Sequence, residues 1–188
     1  MCSSDLVSDA SGDSAVIEYL KGKPVIHHGR QYQVMTNSPV FSEQLKLNAY
    51  WQTRDRTHEL PGSIQSPDRF VRASYFVQQL PPSRDPLQAL AGVMSVMRNV
   101  SVPWGTPDPE HPNISPTWWR TLLDQKNGIY YFDSALSPRM VWVNLRQIDF
   151  RPGSGIRAIA IEGDPALQGN LTARLRPAPP IRFLAPKP

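Results

Sequence analysis

Residues 8–45 read SDASGDSAVIEYLKGKPVIHHGRQYQVMTNSPVFSEQL, and the turn residues in this stretch decide the fold class. Ser14–Leu20 is apolar and rich in β-branched residues, Lys21-Gly22-Lys23 is a turn, and Pro24–His28 is a second apolar run; together they predict a hairpin. Gln31–Thr36 reads as a third strand, ended at Asn37-Ser38-Pro39 because proline donates no ladder hydrogen bond. Phe41–Trp51 then fits a short helix. Further along, Ser66-Pro67-Asp68 predicts a helix start, with Ser as cap, Pro at the first position and an acid in the first turn. Phe70, Ala73, Phe76, Val77 and Leu80 fall on one face of that helix. Asp85-Pro86 opens another helix, with Leu87, Leu90, Ala91, Met94 and Met97 on its inner side. Residues 99–116 form a proline-rich loop. Trp118–Leu123, Gly128–Asp133 and Met140–Leu145 predict consecutive antiparallel strands, and Ile156–Ile161 one more. Strands, then helices, then strands is the order of an α+β fold, helices packed on antiparallel sheet.

The 188 residues suffice for a domain with its own core. Hydrophobic residues make up 40% and charged residues 19%, the balance of a soluble globular chain. The 20 prolines, concentrated in 81–116 and 177–188, predict long connections poor in backbone donors. No apolar run reaches the ~18–20 residues of a membrane span, and the first residues lack the pattern of a signal peptide. The net charge is +4, but the arginines are scattered, with no basic run and no aromatic-basic ladder. Neither nucleic-acid binding nor membrane insertion is therefore expected. One cysteine excludes an internal disulfide and a thiolate metal cluster.

Several residues invite a chemical reading. Cys2 becomes the first residue once Met1 is removed, and a terminal cysteine has its own α-amine as a base. His27 and His28 are adjacent in a predicted strand, so they point to opposite faces and cannot chelate one metal. His111 lies in the proline-rich loop and reads as surface. Gly12-Asp13-Ser14 with Asp55 and His58 imitates the end blocks of a serine esterase, Ser14 attacking, His58 as base and Asp55 orienting it. The spacing opposes this: Ser14 begins an apolar strand instead of ending one, and the His follows too soon. Trp118, Trp119, Tyr130, Tyr131 and Phe132 read as core and sheet surface. Glu18 reads as a satisfied polar residue in a buried strand, and Arg72 as one half of a structural ion pair. Asp9 and Asp13 fit either a turn before the first strand or a supporting role at a site. On the residues alone, Asn37 caps a turn and Arg69 is a surface cation paired with Asp68. Yet Arg69 sits in a helix's first turn, where the dipole disfavours a cation, and borders the apolar stripe.

The stretch 8–45, together with LPGSIQSPDRFVRASYF at 60–76 and WWRTLLDQKNGIYYFDS at 118–134, resembles the choloylglycine hydrolase family. This family includes bile salt hydrolases and penicillin V acylases, N-terminal nucleophile enzymes that cleave linear amides. The resemblance covers about residues 8–184, and three motifs in the right order make it specific. It looks closest to the Gram-negative branch, which implies a periplasmic or secreted location.

The resemblance implies part of an αββα sandwich with antiparallel sheets. It implies a small-molecule amide substrate, such as a conjugated bile acid, penicillin V or an acyl-homoserine lactone. It implies neither cofactor nor metal, and a parent enzyme able to be homo-oligomeric. Two family positions fall in this chain. Asn37, of Thr-Asn-Ser-Pro, corresponds to the side-chain amide that helps form the oxyanion hole. Arg69, of Ser-Pro-Asp-Arg-Phe, corresponds to the cation beside the nucleophilic sulfur, favouring thiolate over thiol. Although 32 residues apart, the two are expected to converge on one cleft. Cys2 does not match the family nucleophile, because SSDLVSDAS follows it without the family's Arg and Asp. Cys-Ser-Ser-Asp-Leu is also the translation of the end of a common sequencing adapter. Residues 1–6 are therefore expected to be a non-native leader, and 7–188 the C-terminal portion of a choloylglycine hydrolase-like domain, inactive by itself. Two other classes stay open: a non-catalytic homologue that binds acyl compounds, and the short serine esterase on Ser14, Asp55 and His58. The residue following signal cleavage in a parent gene would discriminate the first, and fluorophosphonate labelling of Ser14 the second.

Overall fold

The computed structural model describes residues 4–55, 59–105, 110, 116–161, 164 and 166–182. Cys2, His58 and His111 lie outside these. The described chain divides into two units, residues up to Thr117 and residues from Trp118. Helices and mainly antiparallel sheets give the α+β class that the sequence predicts.

In the first unit, the turn at Lys21-Gly22 carries positive φ at both residues, 51° and 76°. Those are the dihedrals of a two-residue turn whose twist matches its strands. It joins β2 (Ser14–Leu20) to β3 (Lys23–His28). A strand that the pattern does not predict, β1 (Ser4–Ser8), pairs antiparallel on the other side of β2, with Leu6 opposite Val16. Ser4–Leu6 of the expected leader thus pair with Glu18–Val16. Alternation sorts the sheet. Ser14, Val16 and Glu18 are buried on one face, while Val7, Tyr19 and Ile26 are exposed on the other.

The β1–β2 connection is an aspartate turn. The Asp9 carboxylate accepts from the Ser11 N–H (2.8 Å) and hydroxyl (2.6 Å), and Asp13 accepts from the His28 ring (2.8 Å) and the Ser14 N–H (2.9 Å). Of the two readings open for Asp9 and Asp13, this is the turn. The His28 hydrogen bond, then that of Ser14, holds the Asp13 carboxyl below its ordinary range. A depressed carboxylate contributes stability above its unfolded pKa, and loses it as pH falls through the folded one. The stability difference between the chain and an Asp13→Asn variant, present at neutral pH, should therefore vanish in acid. Urea unfolding across pH measures it, and a difference persisting in strong acid would contradict the linkage.

Gln31–Thr36 is not a strand, contrary to the sequence pattern. The Tyr32 carbonyl and the Thr36 N–H and carbonyl bond to side chains, and the Tyr32 N–H to the Gly29 carbonyl, instead of to a neighbouring ladder. Ser14 Oγ lies 2.9 Å from the Gly29 and Tyr32 carbonyls, and Thr36 bonds to helical residues. Tyr32, Val34 and Met35 pack onto a core of Val16, Phe41, Phe70 and Val71. His27 adds edge-on contacts to Tyr32 and Phe41, ring centroids 5.8 and 5.1 Å away, while His28 faces Asp13. The two histidines diverge as adjacent strand residues must.

Helix α1 (Phe41–Gln52) has no side-chain cap from its own neighbour Val40. Buried Glu18 supplies the acceptor from the sheet, its two oxygens 3.0 and 3.1 Å from the Phe41 N–H. Negative charge is favourable at that end of a helix, so Glu18 is the satisfied polar residue its position predicts. In α2 (Ser66–Gln79), Ser66 is the first helical residue and not the cap, which falls on Gln65. The buried face keeps Phe70 and Ala73 but adds Val71 and Ser74, and Phe76 and Val77 are only half-buried. Helix α3 (Pro86–Asn99) starts where predicted, and Asp85 caps it, its carboxylate accepting from the Leu87 N–H at 2.9 Å. Leu87, however, is 68% exposed, and Met94 and Val96 are the buried residues. A Cβ at Gly92 would lie 3.2 Å from Leu80, so packing against the end of α2 starts midway along α3.

In the second unit, β4 (Trp119–Asp124), β5 (Ile129–Ser134) and β6 (Met140–Asn144) form the predicted antiparallel meander. One further strand extends this sheet, and two others form a separate two-stranded sheet. Short β8 (Gly169–Asn170) lies parallel to β6, and β7 (Ile156–Ala158), shorter than predicted, pairs with β9 (Arg176–Ala178). Val141, Leu167 and Leu171 form this unit's core, with Phe132, Val143, Ile159 and Ile161 against it. Tyr131 is buried, whereas Trp118, Trp119 and Tyr130 lie at the surface. On the meander, Arg120 stands directly opposite Asp133, Nε to carboxylate 2.7 Å, with Asp133 only 2% exposed. No described helix is long and apolar enough to cross a membrane.

Candidate functional site

Thr36-Asn37-Ser38-Pro39 leaves the core and crosses the start of α2. Gln44, buried in α1, bonds it twice over. Its carbonyl oxygen accepts from the Thr36 N–H (3.1 Å), and its amide donates to the Thr36 carbonyl (2.9 Å) and the Pro39 carbonyl (2.6 Å). From α2, Ser66 Oγ accepts from the Ser38 N–H at 3.0 Å, and the Ser66 carbonyl lies 3.1 Å from the Thr36 hydroxyl. Asn37 itself is exposed. Its amide makes no hydrogen bond to another described group, so it is not a turn cap here.

Arg69 lies three residues beyond Ser66, on the same side of α2 one turn along. Its Nε donates to the Ile64 carbonyl at 3.1 Å, and no described carboxylate pairs with it. The expected surface partner, Asp68, instead accepts from the Ser63 N–H at 3.0 Å. Burial, then the charge of Arg72, lowers the Arg69 pKa from its ordinary value; the guanidinium nonetheless remains a cation at physiological pH. Among the described residues Arg72 has no ion-pair partner, contrary to the sequence reading. Its guanidinium donates to the Pro61 and Ser63 carbonyls at 2.7 and 2.9 Å. Two arginines on successive turns thus tie loop 61–64 to α2. The hydrogen bonds bring the backbone on either side of Asn37 to Ser66, at the start of α2.

The serine-esterase arrangement finds no support. Ser14 is buried and its hydroxyl is engaged with two backbone carbonyls, a structural position closed to a substrate. Sequence reasoning missed Gln44 and the side-chain role of Ser66. The available signal for Gln44 was its place between Phe41 and Leu45 on the apolar side of a predicted helix.

The chain as a whole has counterparts among known proteins. The profile of the linear amide C–N hydrolases, choloylglycine hydrolase family, matches residues 5–157. A penicillin V acylase of Pectobacterium atrosepticum is 43% identical over 192 residues, covering 94% of this chain and 51% of the relative. The solved penicillin V acylase of Agrobacterium tumefaciens superposes with a TM-score of 0.86 at 47% identity, covering 95% of this chain and 57% of that one. A conjugated bile acid hydrolase of Clostridium perfringens, in its C2A mutant form, shares the fold at TM-score 0.60 and 20% identity, over 77% of this chain and 50% of that one. The chain belongs to the choloylglycine hydrolase family of linear amide C–N hydrolases. It spans about half the length of the curated penicillin V acylase it matches.

Proposed function

We propose that this chain carries part of the active site of an amidase that hydrolyses penicillin V-type side-chain amides, with Asn37 and Arg69 as its contributions. One observation carries the reading: an exposed, unengaged asparagine amide sits on a fixed bracket at the helix turn that bears an arginine with no described carboxylate partner. In an N-terminal nucleophile mechanism, the cysteine thiolate attacks the amide carbon with its own α-amine as base. Asn37 donates to the oxygen that becomes an oxyanion. Arg69 lies beside the sulfur and favours thiolate over thiol. Collapse of the tetrahedral adduct expels the amine, and water then releases the acid. The names of the penicillin V acylases favour a phenoxyacetyl amide over a conjugated bile acid or an acyl-homoserine lactone as substrate.

The test is a chimera. The part of the Agrobacterium enzyme that this chain does not cover, nucleophile included, is joined to residues 7–188. Hydrolysis of penicillin V by the folded chimera is the expected result. A folded chimera without turnover, beside an active Agrobacterium enzyme, would reject the assignment. Residues 1–188 alone are expected to release no side-chain acid from penicillin V. Attack requires a thiol positioned within ~3–3.5 Å of a carbonyl that Asn37 also contacts, a positioning that supplies much of the rate, and the residues after Cys2 do not match those that follow the family nucleophile. Turnover abolished by Cys2→Ala would overturn this and make Cys2 the nucleophile.

A further inference from the structure

We propose that Gln44 and Ser66 act as positioning residues for the Asn37 amide, forming a two-sided clamp whose halves depend on each other. The proposal rests on the reading of Asn37 as the oxyanion donor. Gln44 is 1% exposed and sits beside Phe41 in the apolar core. A leucine there would bury without cost, whereas a buried primary amide is tolerated only when its bonds are made. Gln44 makes them all with the bracket. The Thr36 N–H and hydroxyl reach its oxygen at 3.1 and 3.2 Å, and its nitrogen donates to the Thr36 and Pro39 carbonyls. Ser66 likewise spends its side chain on the Ser38 N–H and not on capping its own helix. Thr36, Ser38 and Pro39 are therefore held, and Asn37 between them is not. The clamp fixes where the Asn37 side chain starts and leaves its amide for a ligand. A donor serves catalysis only when fixed where charge develops. Backbone error at Asn37 would pass directly to that amide.

Hydrogen exchange of single amides in the 188-residue chain tests this without requiring turnover, so failure of the clamp and failure of the amidase reading are separable. In Gln44→Leu, exchange at Ser38 should accelerate at least about tenfold, although Ser38 bonds no atom of Gln44. Exchange at Thr36 should accelerate likewise in Ser66→Ala, and Ser66→Thr, which keeps the hydroxyl, should retain protection. Val16→Ala, in the same core but away from the bracket, should change residues 36 and 38 no more than it changes α1. Unchanged exchange at Ser38 in Gln44→Leu would overturn the proposal. So would acceleration spread equally over β2 and α1 in both Gln44→Leu and Val16→Ala, which would make Gln44 a packing residue only.

Discussion

An Asn37→Ala variant of the active chimera is expected to lose a factor of about 10²–10³ in kcat, with KM changed far less. Removing one fixed donor from an oxyanion hole costs about 2.7–4 kcal/mol in the transition state. The ground-state carbonyl carries less charge and draws less from the same donor, so binding suffers little. The structure makes the experiment clean. The bracket is held through Thr36, Ser38 and Pro39, and the Asn37 side chain makes no hydrogen bond to another described group. Truncation at Asn37 should therefore leave thermal stability nearly unchanged while activity collapses. A kcat within about twofold of the parent would return Asn37 to an ordinary surface residue.

The second large effect lies in the other unit and concerns stability alone. Arg120 and Asp133 face each other across β4 and β5 at 2.7 Å, with side chains 15% and 3% exposed. Breaking a buried pair by removing one member typically destabilises by 3–5 kcal/mol, about two to four orders of magnitude in the folding equilibrium. Asp133→Ala and Arg120→Ala should each lower the urea midpoint of this unit, followed by the fluorescence of Trp119 and Trp142. The double variant Arg120→Met with Asp133→Leu should regain most of the loss, since an apolar pair of similar volume leaves no charge to solvate. Single variants within 1 kcal/mol of the parent would show that solvent reaches the pair after all.

These expectations differ in how far the sequence alone announces them. The Lys21-Gly22 turn, the Asp85 cap and the β4–β6 meander were legible because each is set by residues close in sequence. Gln31–Thr36 was misread because its apolar alternation suits a strand, while the groups that bond its end belong to Gln44 and Ser66, 8 and 30 residues from Thr36. Leu87 was misplaced for a related reason. A helical stripe shows which residues share a face, but not how far along the helix a partner extends. Asn37 and Arg69 were picked out through family motifs; nothing in their own chemistry separates a turn asparagine from an oxyanion donor. The approach of residues 36 and 38 to Ser66 depends on contacts across 28–30 residues, which no local pattern encodes.

The Glu18 carboxylate against the Phe41 N–H bears on the order in which the first unit assembles. Helix α1 has no capping side chain at Val40, so its first turn borrows its acceptor from a strand 23 residues earlier. A 12-residue helix is at the edge of what survives alone in water. A peptide spanning residues 38–53 should therefore be largely unstructured by circular dichroism. In the intact chain, the β2–β3 hairpin closes through a two-residue turn, a short loop on the microsecond scale. Only a formed β2 presents Glu18 at the right height for the helix to start beneath it. The expected order is therefore sheet first, with α1 nucleating only once β2 is in place. A mutation in β2 that never touches α1 should slow the appearance of its helical signal during refolding.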